Sequence, residues 1–172
     1  MRRSALVVVV PEAEAVVAPW RALGELVAPR SVPAHVTVLY PFAMPPLGEA
    51  LLATVAATVV RRPVFEVTFW RTGVFAERLL YLEPDPSEPF LALTRELTER
   101  FPDHPPYAGE VPVELVKPHL TVAFGLAPQP LREALAALGA MAPIVHTVTH
   151  VTVLAEDEHQ EWQVVAEAPL GG

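Results

Sequence analysis

Apolar and polar positions along the chain fall into short blocks whose periods change repeatedly between two and about three and a half. Residues 4–10, Ser-Ala-Leu-Val-Val-Val-Val, form an unbroken apolar run rich in β-branched side chains, the pattern of a strand buried on both faces. Residues 12–28 then set Ala, Val, Trp20, Leu23 and Leu26 among Glu and Arg after a proline suited to a first helical turn, which predicts a helix. A strand from about Ala34 to Tyr40 follows, stopped by Pro41. Pro45 and Pro46 make a loop ahead of a second helix over 47–61. Residues 64–71, Val-Phe-Glu-Val-Thr-Phe-Trp-Arg, alternate well enough for a strand. The first half therefore reads β-α-β-α-β.

The second half predicts the same order: a strand from Arg78 to Glu83, a helix over 87–101, a strand from His119 to Phe124, a helix over 128–140 and a strand over 144–155. A last strand over 161–168, joined to its neighbour through the polar turn Glu156 to Gln160, has no counterpart in the first half. An internal duplication of this kind sets equivalent side chains on either side of a pseudo-two-fold axis and implies a cleft between lobes. The expected organisation is one domain over 1–172, with repeat lobes of about 1–75 and 76–172.

Length and composition limit the choices. A chain of 172 residues, half of them apolar and 19% charged, can bury a sizeable core and fold alone. A net charge of -8 argues against a partner held mainly by phosphate-backbone electrostatics, which needs clustered Lys and Arg. The absence of cysteine excludes a disulfide framework, a thiolate zinc site and a cysteine nucleophile. Met1-Arg2-Arg3 before an apolar run imitates a signal peptide, but Glu12 and Glu14 follow at once without a convincing cleavage site, so the run is read as a first strand. No apolar stretch approaches the ~20 residues that cross a bilayer, and the expected location is cytoplasmic.

The chemistry gathers on two strands. Pro33-Ala34-His35-Val36-Thr37-Val38-Leu39-Tyr40 and Pro118-His119-Leu120-Thr121-Val122-Ala123-Phe124 each carry a histidine and a threonine two residues apart among apolar neighbours. On a strand, residues i and i+2 point to the same face. Each strand thus offers an imidazole and a hydroxyl at a spacing their side chains can close around one tetrahedral phosphate, and the two histidines hold the same place in the two halves. Of the six histidines, His150 repeats the local pattern in His150-Val151-Thr152-Val153. Its repeat partner is Glu66-Val67-Thr68-Phe69, without a histidine, and it lacks the upstream proline and downstream aromatic that the other two share. His104, His146 and His159 lie in loop or edge contexts. A metal centre is the competing use of paired histidines. It fits poorly without a His-Glu-x-x-His helix or cysteine, and with a threonine beside each histidine.

His35-Val36-Thr37-Val38 and His119-Leu120-Thr121-Val122 satisfy the paired His-x-Thr/Ser-x signature, one motif per lobe, and the chain resembles the 2H phosphoesterase superfamily and within it the 2'-5' RNA ligase-like branch. The likeness spans nearly the whole chain, including a Pro-rich loop from Phe101 to Tyr107 with Gly109 ahead of the second motif. It implies a bilobal α+β fold of duplicated units whose two antiparallel sheets face each other across a central cleft, helices outside. It also implies activity on 2',3'-cyclic phosphates or 2'-5' phosphodiesters of nucleotides or RNA ends with no metal and no cofactor. His35 and His119 would be general acid and base, and Thr37 and Thr121 would donate to the non-bridging phosphate oxygens.

Accessory candidates follow from position. Lys117 and Arg78 would offset phosphate charge, and Tyr40, Phe42, Tyr107 or Phe124 would stack on a base, Tyr107 foremost because its Pro-rich loop leaves the ring few places to bury. The acidic balance favours small substrates over long RNA, and a monomer without membrane contact is expected. The alternative is a binding module that holds a nucleotide or RNA end without turning it over.

Overall fold

The computed structural model describes residues 2–25 and 32–172. Among these, eight strands form one antiparallel sheet in the order β6-β3-β4-β5-β2-β1-β7-β8. The strands are β1 (Ser4–Val9), β2 (His35–Leu39), β3 (Phe65–Phe75), β4 (Leu79–Asp85), β5 (Leu120–Phe124), β6 (Ile144–Val148), β7 (His150–Glu156) and β8 (Trp162–Pro169). The helices are α1 (Glu14–Arg21), α2 (Glu49–Val59), α3 (Glu88–Arg100) and α4 (Pro128–Gly139). The α+β class is as expected, but a single sheet stands where two were anticipated. Two runs of four strands meet at its centre, where β2 pairs with β5.

The helix expected over 12–28 is shorter than its pattern. A 3-10 turn over Pro11–Ala13 leads into α1, which ends at Arg21. Pro19 sits inside α1 and has no N–H to give to the preceding turn; the residues beyond Glu25 that were assigned to this helix lie outside the described ones.

The stretch over 144–155, read as one strand, is two. β6 pairs with β3 at one edge of the sheet, whereas β7 lies between β1 and β8 at the other. Only Thr149 separates them. In a flat sheet the six strand spacings from β6 to β7 would amount to roughly 29 Å, far beyond the reach of one linking residue. The sheet must therefore curl until its two ends meet. They do so through Leu170 N–H donating to Thr149 O at 2.9 Å, Val64 N–H to Gly171 O at 3.1 Å and Gly171 N–H to Arg62 O at 2.8 Å.

Reading outward from the centre, β2, β1, β7 and β8 match β5, β4, β3 and β6. Each run takes its third strand from the other half of the chain, so the runs do not divide at residue 75. The helices pack on the sheet, α1 against β5, α2 against β8, α3 against β2 and α4 against β3. Val36, Val38, Leu120 and Val122 face this core with Val17, Val55, Leu93 and Leu138 from the four helices. Thr94 of α3 fixes one of those contacts, its hydroxyl donating to Val38 O at 2.9 Å. Alternate residues of β2 and β5 are left to the opposite face.

Candidate active site

β2 and β5 run antiparallel with Val36 opposite Leu120. Continuing that register one residue each way sets His35 opposite Thr121 and Thr37 opposite His119, with His35 and His119 as diagonal neighbours about 7–8 Å apart at their backbones. Because Val36 and Leu120 are wholly buried towards the helices, the four polar side chains share the other face, each only partly buried. Two motifs more than eighty residues apart in sequence thus come together at one pair of strands.

Both imidazoles are oriented the same way. His35 Nδ1 lies 2.8 Å from Pro33 O, and His119 Nδ1 lies 2.8 Å from Lys117 O. A carbonyl only accepts, so each Nδ1 carries the hydrogen and each Nε2 is the nitrogen left for exchange. Burial is the main cause that pushes both pKa values below the ordinary histidine value. For His35 the charges of Arg21 and His119 add to it, against the bond to Pro33 and the charge of Glu14; for His119 the charge of Lys117 adds to it, against the bond to Lys117 O. Each imidazole therefore sheds its proton more readily than a solvated one.

A clasp holds the entry to β2. Ala34 N–H donates to Glu14 Oε2 at 2.7 Å, Arg21 Nη1 donates to Glu14 Oε1 at 3.2 Å, and the same nitrogen donates to Val32 O at 3.3 Å. Two residues of α1 thus fix the backbone on both sides of Pro33, whose carbonyl orients His35.

The surroundings of the two histidines differ. Around His119 stand Phe75 and Tyr81, their centroids 5.1 and 5.6 Å from the imidazole and 4.2 Å from each other in a stack. Tyr81 Oη accepts from Lys117 Nζ at 2.8 Å, and Lys117 also meets Glu83 at 3.3 Å. Gly73, facing Tyr81 across β3 and β4, makes room for that ring, since a Cβ there would lie 2.2 Å from Tyr81 Oη. Beside His35 and Thr37 is a cavity of about 250 Å³ whose wall includes Arg3, Val7, Tyr40, Leu154 and Trp162.

The accessory candidates separate. Tyr40 borders the cavity. Lys117 is next to His119, although its ammonium already has Tyr81 and Glu83 as partners. Arg78 is elsewhere: it precedes Leu79, which pairs with Phe124, and its guanidinium is bound to Glu25 and lies 4.9 Å from the Phe124 ring centre. Phe42 is buried against Phe101 and His104. Tyr107, at φ 51 and ψ 38, ties its loop to the end of β2 by donating its N–H to Tyr40 O at 2.6 Å, and burial pushes its phenol pKa up. His146 meets Glu12 at 2.8 Å and His150 meets Thr149 Oγ1 at 3.0 Å. Arg3, Glu14, Arg21, Phe75, Tyr81 and Trp162 were not anticipated. None carries a local sequence signal; Tyr81 is brought forward only by the pairing of β4 with β5, which sets it in register with Thr121.

A histidine and a threonine from each of two facing strands thus share one face, and the sequence shows the family. A profile of the 2'-5' RNA ligase superfamily matches residues 9–160, and the chain belongs to that superfamily of ligase-like phosphoesterases. No curated protein matches the sequence. Solved structures share the fold. E. coli LigT complexed with 3'-AMP is 18% identical over 99% of both chains with a TM-score of 0.64. TT0787 of Thermus thermophilus is 20% identical over 99% of this chain and 98% of its own, with a TM-score of 0.67. LigT has also been crystallised with phosphate and with NADP+. Among the described residues no helix is long and apolar enough to cross a membrane.

Proposed function

We propose that this chain is a metal-independent phosphodiesterase acting on 2',3'-cyclic phosphates or 2'-5' phosphodiesters of nucleotides or RNA ends, with His35 and His119 as its general acid and base. The observation that carries the reading is the pair of matched Nδ1 bonds, 2.8 Å each, on one face of adjoining strands. Such bonds leave both Nε2 atoms ready to exchange protons at a shared point. One neutral imidazole takes the proton of a water as its oxygen attacks phosphorus. The other, protonated, gives its proton to the ester oxygen as the P–O bond breaks, and the pair ends with its single proton moved across. The charge of His119 opposes protonation of His35, which disfavours a doubly protonated pair. Thr37 and Thr121 donate to the non-bridging oxygens, where negative charge must be held in the transition state. With the hydroxyl of a second RNA end in place of water, the same steps would open a cyclic phosphate, form a 2'-5' phosphodiester and leave the 3'-oxygen protonated, which is ligation. The two four-strand runs that meet at β2 and β5 would form the walls of the substrate cleft.

Nucleoside 2',3'-cyclic phosphates and 2'-5' dinucleotides incubated with the protein in excess chelator test this directly. Hydrolysis is expected, and H35A or H119A should each lower it by about 10²- to 10⁴-fold. No turnover of any member of the panel would count decisively against the reading. Binding that survives in both the wild type and the variants, without turnover in either, would instead mark a nucleotide-binding module.

A further inference from the structure

The two halves of the site are alike at their histidines and unlike one strand further out. Val7 of β1 pairs with Thr37, and Tyr81 of β4 pairs with Thr121, so the two residues hold equivalent places. At Tyr81 the space is taken by a ring stacked on Phe75. At Val7 the small side chain leaves the cavity of about 250 Å³ that His35 and Thr37 border.

We infer that this cavity receives the nucleobase of the substrate. The inference rests on the phosphodiesterase reading for the phosphate and adds where the organic part goes. The volume lies below the roughly 300–1,000 Å³ of drug-sized sites, which suits one ring system and not a dinucleotide. The walls are aliphatic at Ala5, Val7 and Leu154 and aromatic at Tyr40 and Trp162, whose centroids are 6.5 Å apart at 51°. These rings make a corner against which one flat face can lie. Arg3 lies at this corner with its Cζ 5.7 Å from the Trp162 ring centre. Its Nε and Nη2 are bound to the buried Glu156, while Nη1 has only a long contact of 3.4 Å to Tyr40 Oη. The charge of Arg3 is thus offset and one donor remains, which fits the acceptor edge of a neutral heterocycle better than a second phosphate. An aliphatic occupant would use neither the rings nor the donor. The shared border with His35 and Thr37 puts the base within one ribose of the phosphate.

The test compares adenosine 2',3'-cyclic phosphate with base-free ribose 2',3'-cyclic phosphate. The wild type is expected to favour the nucleoside by roughly 10- to 100-fold in kcat/KM, the range that one stacked base supplies. V7F, which places a ring where the other half has Tyr81, and the milder W162A should bring that ratio close to one. A wild type that does not discriminate, or a preference that persists in both variants, overturns the inference while leaving the phosphodiesterase reading intact. Turnover of neither compound removes 2',3'-cyclic phosphates from that reading instead. The cavity is then judged by binding: adenosine 2'-monophosphate should quench tryptophan fluorescence in the wild type and not in W162F, and equal quenching in both overturns the inference.

Discussion

Replacing Glu14 with alanine removes the clasp at the entry to β2 without touching either histidine. Ala34 N–H loses a charged acceptor at 2.7 Å, a hydrogen bond worth about 1.5–3 kcal/mol. The ion pair with Arg21 at 3.2 Å adds little, about 0–1 kcal/mol, because the Glu14 side chain is 43% exposed. A total of about 2–3 kcal/mol corresponds, for a chain of this length, to a fall in Tm of roughly 5–10 °C. The electrostatic effect has a definite sign. Glu14 raises the His35 pKa and Arg21 lowers it, so E14A drives it further down, whereas His119, whose shift involves Lys117, stays where it was. E14Q separates the two contributions, since its amide oxygen can still accept from Ala34 but carries no charge. It should recover about half of the lost Tm and none of the lost basicity. Thermal melts and NMR titration of the histidine ring protons measure both. An E14A protein that melts within about 1 °C of the wild type, with His35 titrating unchanged, would refute the clasp, as would identical behaviour of E14A and E14Q.

Other outcomes follow from the same geometry. Both histidines have folded-state pKa values below the unfolded value near 6.5. Above that pH they add no pH dependence. Below it the unfolded chain binds protons the folded one does not, and stability falls until the folded pKa values are passed. The urea midpoint should therefore drop below about pH 6.5, and less so in an H35N/H119N double variant; a midpoint that rises as pH falls would contradict this. G73A places a Cβ 2.2 Å from Tyr81 Oη and should cost about 1–3 kcal/mol in urea unfolding, with reduced turnover as the Tyr81 ring is pushed towards His119. T94V removes the donor to Val38 O and Phe90 O and should cost about 1 kcal/mol by the same measurement, while a neutral result would mean the hydroxyl does not anchor α3 to β2.

Periodicity made most elements legible. β2 and β5 have their apolar and polar residues on opposite faces, and that alternation alone put each histidine beside its threonine. Periodicity failed at Thr149 because Ile144-Val-His-Thr-Val-Thr-His-Val contains no Gly, Pro, Asn or Asp to mark a break. The division is imposed by the pairing of β6 with β3 and β7 with β1, which nothing local encodes. Glu14 and Arg21 read as solvated positions of an amphipathic helix, and their role appears only once α1 is laid beside the β2 entry. Tyr81 stood in an apolar run, Leu79-Leu80-Tyr81-Leu82, where a core ring is the ordinary reading.

The exchange of third strands between the two runs bears on how the molecule is made. A fragment ending at Glu77 would contain β3 without its partners β4 and β6, and β1 without β7, leaving hydrogen-bonding edges bare. During synthesis the amino-terminal portion must wait for the final strands before its edges are covered. Two fragments cut in the turn after Phe75 should therefore be unfolded separately and regain structure when mixed, a complementation that a pair of self-contained lobes would not require.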